Sequence, residues 1–163
     1  MRQTQPWLIG GITLGADQLT KLLTQASFTS GESLPLWVGW LHLTYVQNTG
    51  AAFGLFKGQQ LLFIGLSVLV IAWVIRELTS PGPLTRGMRW GSSLILGGAT
   101  GNLIDRLRCG YVVDFIDVRF HGRTIWPVFN VADSAITIGV TLLMLQTLRA
   151  SPPAEPSPPR SRL

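Results

Sequence analysis

Sulfur and imidazole chemistry have almost nothing to work with in this chain. Cys109 is the only cysteine, which excludes an internal disulfide and any thiolate-rich metal site. The two histidines, His42 and His121, lie far apart with no His-x-x-x-His spacing, so zinc catalysis has no footing and no metal or cofactor is expected. Charge is scarce as well. Asp, Glu, Lys and Arg make up 13% of the 163 residues, where soluble domains carry roughly a quarter. So few charges cannot coat a water-exposed surface. With 47% hydrophobic residues and a mean hydropathy of +0.35, the chain suits a bilayer. Acids are rarer than bases, 8 against 13, giving a net charge of +5 and a pI near 10.4. The basic residues flank apolar segments rather than forming a stripe with interleaved aromatics, so anionic headgroups are the expected contact and nucleic acid is not.

A membrane-spanning helix needs about 20 mostly apolar residues. Residues 61–75 form an uncharged run between Lys57 and Arg76, and residues 90–104 form another between Arg89 and Asp105. Residues 124–148 carry a single charge, Asp133, and the first apolar segment is interrupted in its second half by Asp17 and Lys21. The pattern predicts four spans, at about 7–25, 59–76, 88–105 and 129–149, with outer loops at about 28–57 and 107–128. A cleaved leader is the other reading of the N-terminus, with Arg2 as its basic region. No clean small-x-small site precedes Asp17, however, and Asp17 and Lys21 stand four apart, acid first, the order that pairs on one helix face. Four spans put both termini on one side. Seven basic residues fall there against five on the other, which favours cytoplasmic termini.

In the outer loops, Leu41, Leu43 and Tyr45 alternate with His42, Thr44 and Val46, which reads as a strand. Residues 112–120 are rich in β-branched and aromatic types, and His121-Gly122-Arg123 then turns the chain into a hairpin. The tail, residues 150–163, holds five of the ten prolines and is expected to be disordered, leaving residues 1–149 as one membrane domain.

Ionisable groups at membrane depth are costly, so each is a functional candidate. Asp133 lies three residues after Asn130, near the start of the fourth span. It serves either a site or the free N–H groups of a helix start. Asp114 is either a second site acid or a surface carboxylate on the hairpin. In an extended segment Asp114 and Asp117 point to opposite faces. A dyad of Asp114 and Asp133 is possible, although spacing alone does not establish it. Asn102, Asp105 and Arg106 share the end of the third span; Asp105-Arg106 reads as a charge pair at the headgroups, while Asn102, one turn inside, wants a partner. Gly97 and Gly101 have the Gly-x-x-x-Gly spacing of close helix packing.

Five pieces in order, Asp17-Gln18 with Lys21, Asn48-Thr49-Gly50-Ala51-Ala52-Phe53, the run from Gly97 to Arg106, Val112-Val113-Asp114-Phe115-Ile116-Asp117 and Phe129-Asn130-Val131-Ala132-Asp133-Ser134, resemble the motifs of the lipoprotein signal peptidases, or signal peptidase II family. The resemblance covers the chain except its extreme N-terminus and its tail. It implies an all-α polytopic membrane protein of four transmembrane helices, with a small extracytoplasmic β-cradle and a short amphipathic helix. It implies an aspartic endopeptidase that cuts diacylglyceryl-modified prolipoproteins before the lipidated cysteine. Asp114 and Asp133 would be the catalytic dyad; Asn48, Asn102, Arg106 and Asn130 would line the site, with Asp17 and Lys21 close below. The implied setting is the bacterial cytoplasmic (inner) membrane, with the site near the outer leaflet. Implied partners are lipidated prolipoproteins, membrane lipids and globomycin-type peptide antibiotics, and the chain is expected to be a monomer. The competing functions are a serine–lysine peptidase using Lys21 as base, a small proton-coupled transporter or channel, and a structural subunit.

Overall fold

A computed structural model describes residues 5–50, 56 and 58–149. Its elements run α1 (Gln5–Ser27), β1 (Ser33–Trp37), β2 (Leu41–Asn48), α2 (Gln60–Thr79), α3 (Arg86–Cys109), β3 (Val112–Phe120), β4 (Arg123–Thr124) and α4 (Val131–Arg149). The Pro-rich tail and Ala51-Ala52-Phe53 lie outside the described residues.

The bundle is organised around α3, on which α1, α2 and α4 all pack. Small residues make this possible. A Cβ added at Gly97 would stand 2.5 Å from the Gly10 carbonyl oxygen, and one at Gly98 would stand 2.5 Å from that of Ala132. Backbones that close exclude any side chain, the packing role expected of Gly97, whereas Gly101 instead leaves room for the Asp17 carboxylate. The helix begins at Thr85, whose hydroxyl accepts from the Met88 N–H at 3.2 Å, and stops at Gly110, which takes the left-handed conformation at φ 81°.

Polarity is arranged inside out. Leu8, Leu61 and Leu148 are 64%, 84% and 81% exposed, whereas Asp17, Lys21 and Asn130 are 0–2% exposed. Burying a leucine is worth about 1.5–3 kcal/mol in water, so a water-soluble fold would not turn so many outward. Hydrocarbon reverses the preference. Helix α2 states it most simply, since Val74 is its only buried residue. Two helices, α2 and α4, are long and apolar enough to cross a membrane by length and composition; α1 and α3 carry the interior polar groups.

The segments between α1 and α2 and between α3 and α4 form a four-stranded antiparallel sheet in the order β1-β2-β3-β4. This is more strand than the sequence suggested. β1 was not foreseen because Pro35 and its short length mask it, both features of an edge strand. The β3–β4 turn is a two-residue hairpin at His121 and Gly122, with φ of 48° and 76°. β4 then ends at Thr124 and the chain returns along β3, Phe129 pairing with Ile116. The expected short amphipathic helix does not occur among the described residues. At the cradle's centre Asp117 accepts from Thr44 at 2.7 Å, Thr124 at 3.0 Å and Arg119 at 2.7 Å, tying β2, β3 and β4 together.

Candidate active site

The site forms where the sheet meets the C-terminal end of α3 and the N-terminal end of α4. Asn130 caps α4. Its Oδ1 accepts from the Asp133 N–H at 2.8 Å, and Asp133 Oδ2 accepts from the Asn130 N–H at 3.2 Å, a reciprocal capping box. The helix-start reading of Asp133 therefore holds. It does not exhaust the residue, because its other oxygen, Oδ1, accepts from Asn102 Nδ2 at 2.8 Å.

Asp114 arrives from β3, where Val46 is its partner across the pair with β2. It is 1% exposed, and its carboxylate accepts from Asn130 Nδ2 at 2.7 Å and Asn48 Nδ2 at 2.8 Å. Burial first, then the neighbouring Asp133 charge, pushes the Asp114 carboxyl up to about 7, against the hydrogen bonds from Asn48 and Asn130 and the charge of Lys21. Asp117 lies in the separate network of the cradle, as strand alternation requires. Its burial would raise the carboxyl, but Arg119, Thr44 and Thr124 outweigh that and hold it below its ordinary value.

Asp114 and Asp133 line one cavity of about 270 Å³, together with Asn48, Asn102, Arg106 and Phe129. At about 30 Å³ per water, this is room for a peptide group and a hydrolytic water. An apolar crease of about 240 Å³ adjoins it, walled by Phe63, Leu66, Val70, Ile95 and Ala99 and sharing Asn102, Arg106 and Ile136 with the cavity. The crease lies between α2 and α4 over the face of α3. Arg106 stands at the junction, its guanidinium 5.0 Å from the centre of the Phe63 ring and donating to the Asn102 carbonyl at 3.4 Å.

Below the cavity, Lys21 has an acceptor for each of its three N–H bonds: Asp17 Oδ2, Asp105 Oδ2 and Asn102 Oδ1, each at 2.9 Å. This revises one expectation. Asp105 does not pair with Arg106 at the headgroups; it is 4% exposed and bound to Lys21, Gln18 and the Val113 N–H. The two carboxylates of this triad also hold backbone. Asp17 Oδ1 accepts from the Ala132 N–H at 2.9 Å and Asp105 Oδ2 from the Val113 N–H at 3.0 Å, each one residue before a candidate catalytic aspartate. Asp105 and Gln18 are the residues that sequence reasoning undervalued, and no local pattern signals a partner 87 positions away. Among the described residues, the partners of Lys21 are two carboxylates and an amide oxygen and include no serine hydroxyl, which removes the basis of a serine–lysine scheme.

An inside-out helical bundle, with a cavity lined by two carboxyls beside an apolar crease, defines a membrane protein. The model of the family described as Signal peptidase (SPase) II matches residues 9–149. The chain is 48% identical over 144 residues to the lipoprotein signal peptidase of Moorella thermoacetica, covering 86% of this chain and 91% of that one. It is 46% identical over 151 residues to that of Trichormus variabilis, covering 90% of each. Two solved structures described as bacterial membrane enzymes superpose with TM-scores of 0.82 and 0.79 at 33% and 32% identity, covering 88% and 90% of this chain and 87% and 94% of theirs. The chain belongs to the signal peptidase II family, and it is a membrane peptidase.

Proposed function

We propose that this chain removes the signal peptide of diacylglyceryl-modified prolipoproteins by aspartic catalysis, cutting before the lipidated cysteine, with Asp114 and Asp133 as the dyad. The observation that carries the reading is the pair of carboxyls on separate elements, lining one cavity and bridged by Asn130. Carboxyls crowded into a poorly solvated site share one proton near neutral pH, and that proton belongs to the pair. The ionised member takes a proton from the attacking water while the protonated member donates to the scissile carbonyl oxygen. The resulting tetrahedral diol collapses as a carboxyl protonates the leaving amine. Asn48, Asn102 and Asn130 hold the acids with neutral amides, leaving the pair's charge to the reaction. Arg106 meets substrate carbonyls at the mouth of the crease.

All four helices span the bacterial cytoplasmic membrane, with both termini cytoplasmic and the sheet on the outer face; residues 1–149 act as one domain and the enzyme works as a monomer. The crease lets acyl chains stay in hydrocarbon, where each buried methylene is worth about 0.8 kcal/mol. Globomycin-type peptides compete for the same cavity. A proton-coupled transporter using these carboxylates predicts proton flux in liposomes without cleavage, and the family membership does not favour it.

The test incubates a lipidated prolipoprotein peptide with purified enzyme, wild type beside Asp114→Asn and Asp133→Asn. Each variant should lose about 10²-fold or more, the scale of general acid–base catalysis. Full cleavage by either variant would end the dyad assignment.

A further inference from the structure

We propose that Lys21 is a positioning residue for the dyad: its ammonium dictates which end of the Asn102 amide faces Asp133, and so supplies the donor that holds that carboxylate. The inference rests on the aspartic reading above, since it explains how one member of that pair is held.

An asparagine side chain has two nearly isosteric ends, one accepting and one donating, and its orientation is set by its neighbours. Around Asn102 the neighbours leave one choice. Lys21 Nζ, 2.9 Å from Oδ1, has only donors, and Asn130 Nδ2 donates to the same oxygen at 3.2 Å. Nδ2 consequently points the other way and donates to Asp133 Oδ1 at 2.8 Å. Turning the amide over would set its NH₂ against an ammonium and a second NH₂, and its oxygen against a carboxylate. Asn130 is fixed by the same logic. Its Oδ1 faces the Asp133 N–H, so Nδ2 is left to serve Asn102 and Asp114.

The ammonium itself cannot rotate out of this role. Its other two N–H bonds are committed to Asp17 and Asp105 at 2.9 Å, and Lys21 is 2% exposed. Lys21 does not line the catalytic cavity, so it touches no substrate. A directed chain of hydrogen bonds thus runs from the donor-only ammonium on α1 through the Asn102 amide on α3 to the acceptor carboxylate on α4. Without Lys21, the Asn130 NH₂ and the Asp133 carboxylate still favour the native orientation, but Oδ1 has lost its charged donor. The amide is then held less firmly, and the donor to Asp133 with it.

Lys21→Met alone would leave Asp17 and Asp105 buried without their cation, so the test uses Lys21→Met with Asp105→Asn. That pair keeps the triad's formal charge at −1, from one cation and two anions to one anion. Thermal unfolding in detergent checks that the variant folds, and kcat and KM are measured on the lipidated peptide in four proteins: wild type, the charge-balanced variant, Asn102→Ala and the combination. The expected result is a folded charge-balanced variant with kcat down at least about 10-fold, the scale of a lost charge-assisted hydrogen bond, and KM within about twofold. In the Asn102→Ala background the same change should add less than about twofold, because the group through which Lys21 acts is already gone. Losses that multiply, a KM that rises in step with the fall in kcat, full activity, or a charge-balanced variant that does not fold would each overturn the proposal. Asp114→Asn and Asp133→Asn run alongside separate the two failures. Active aspartate variants sink the aspartic reading, whereas inactive ones beside additive Lys21 losses sink only this inference.

Discussion

Replacing Asn48 by alanine gives a signed test of the acid pair. Asn48 Nδ2 donates to Asp114 Oδ2 at 2.8 Å, which favours the ionised form of a carboxyl that burial and Asp133 nonetheless push up to about 7. A hydrogen bond to a charged group contributes about 1.5–3 kcal/mol. Asn48 is only half-buried, so solvent screening cuts this to about 1.4 kcal/mol, or about one pH unit. The sign follows from the active state, which holds one proton between two carboxyls. Above the upper titration both ionise and hydrolysis stops, so this titration sets the basic limb of the pH profile. Removing a donor to the ionised form makes the last proton harder to lose, and the basic limb moves up. At pH 8 the singly protonated fraction rises from about a tenth to about a half when the titration moves from about 7 to about 8. Normalised to its own maximum, Asn48→Ala should therefore retain about fivefold more of its activity at pH 8 than wild type does, even though its absolute kcat falls because Asn48 lines the cavity. The measurement is kcat/KM for a lipidated peptide in mixed micelles across both limbs. A basic limb that stays put or moves down would refute the placement of that proton.

Two structural predictions accompany it. Gly98→Ala puts a methyl 2.5 Å from the Ala132 carbonyl oxygen and 2.9 Å from Ile136 Cγ1, so it should cost about 1–3 kcal/mol by overpacking. Thermal unfolding in detergent should report the loss, with turnover falling because Ala132 adjoins Asp133; an unchanged transition with wild-type turnover would contradict it. Asp117, held below its ordinary value by Arg119, Thr44 and Thr124, stabilises the cradle above its unfolded titration. That contribution is lost as pH falls through the lower, folded one. Limited proteolysis of the β3–β4 hairpin should accelerate below about pH 4 in wild type. Asp117→Asn should be cleaved faster already at neutral pH, and equal rates for the two proteins there would count against the cradle network.

The amino-acid sequence alone determined the solvent and the scaffold. Too few charges for a watery surface, apolar runs of helical length and an α3 rich in glycine dictate an inside-out bundle built on close backbone contact. Those properties are local, readable from composition and spacing. Alternation also required Asp114 and Asp117 to face opposite ways, but it could not say which of them would meet Asp133. That depends on how β3 docks against α3 and α4, through contacts such as Asp105 with the Val113 N–H and Asn130 with Asp114. The partner of Lys21 four residues earlier was legible from helical spacing. Its partners Asn102 and Asp105 were not, being 81 and 84 positions away along the chain. Only tertiary packing decided that three acceptors would surround one ammonium, because the strength of a buried polar contact depends on distances and desolvation that exist only once the helices have come together.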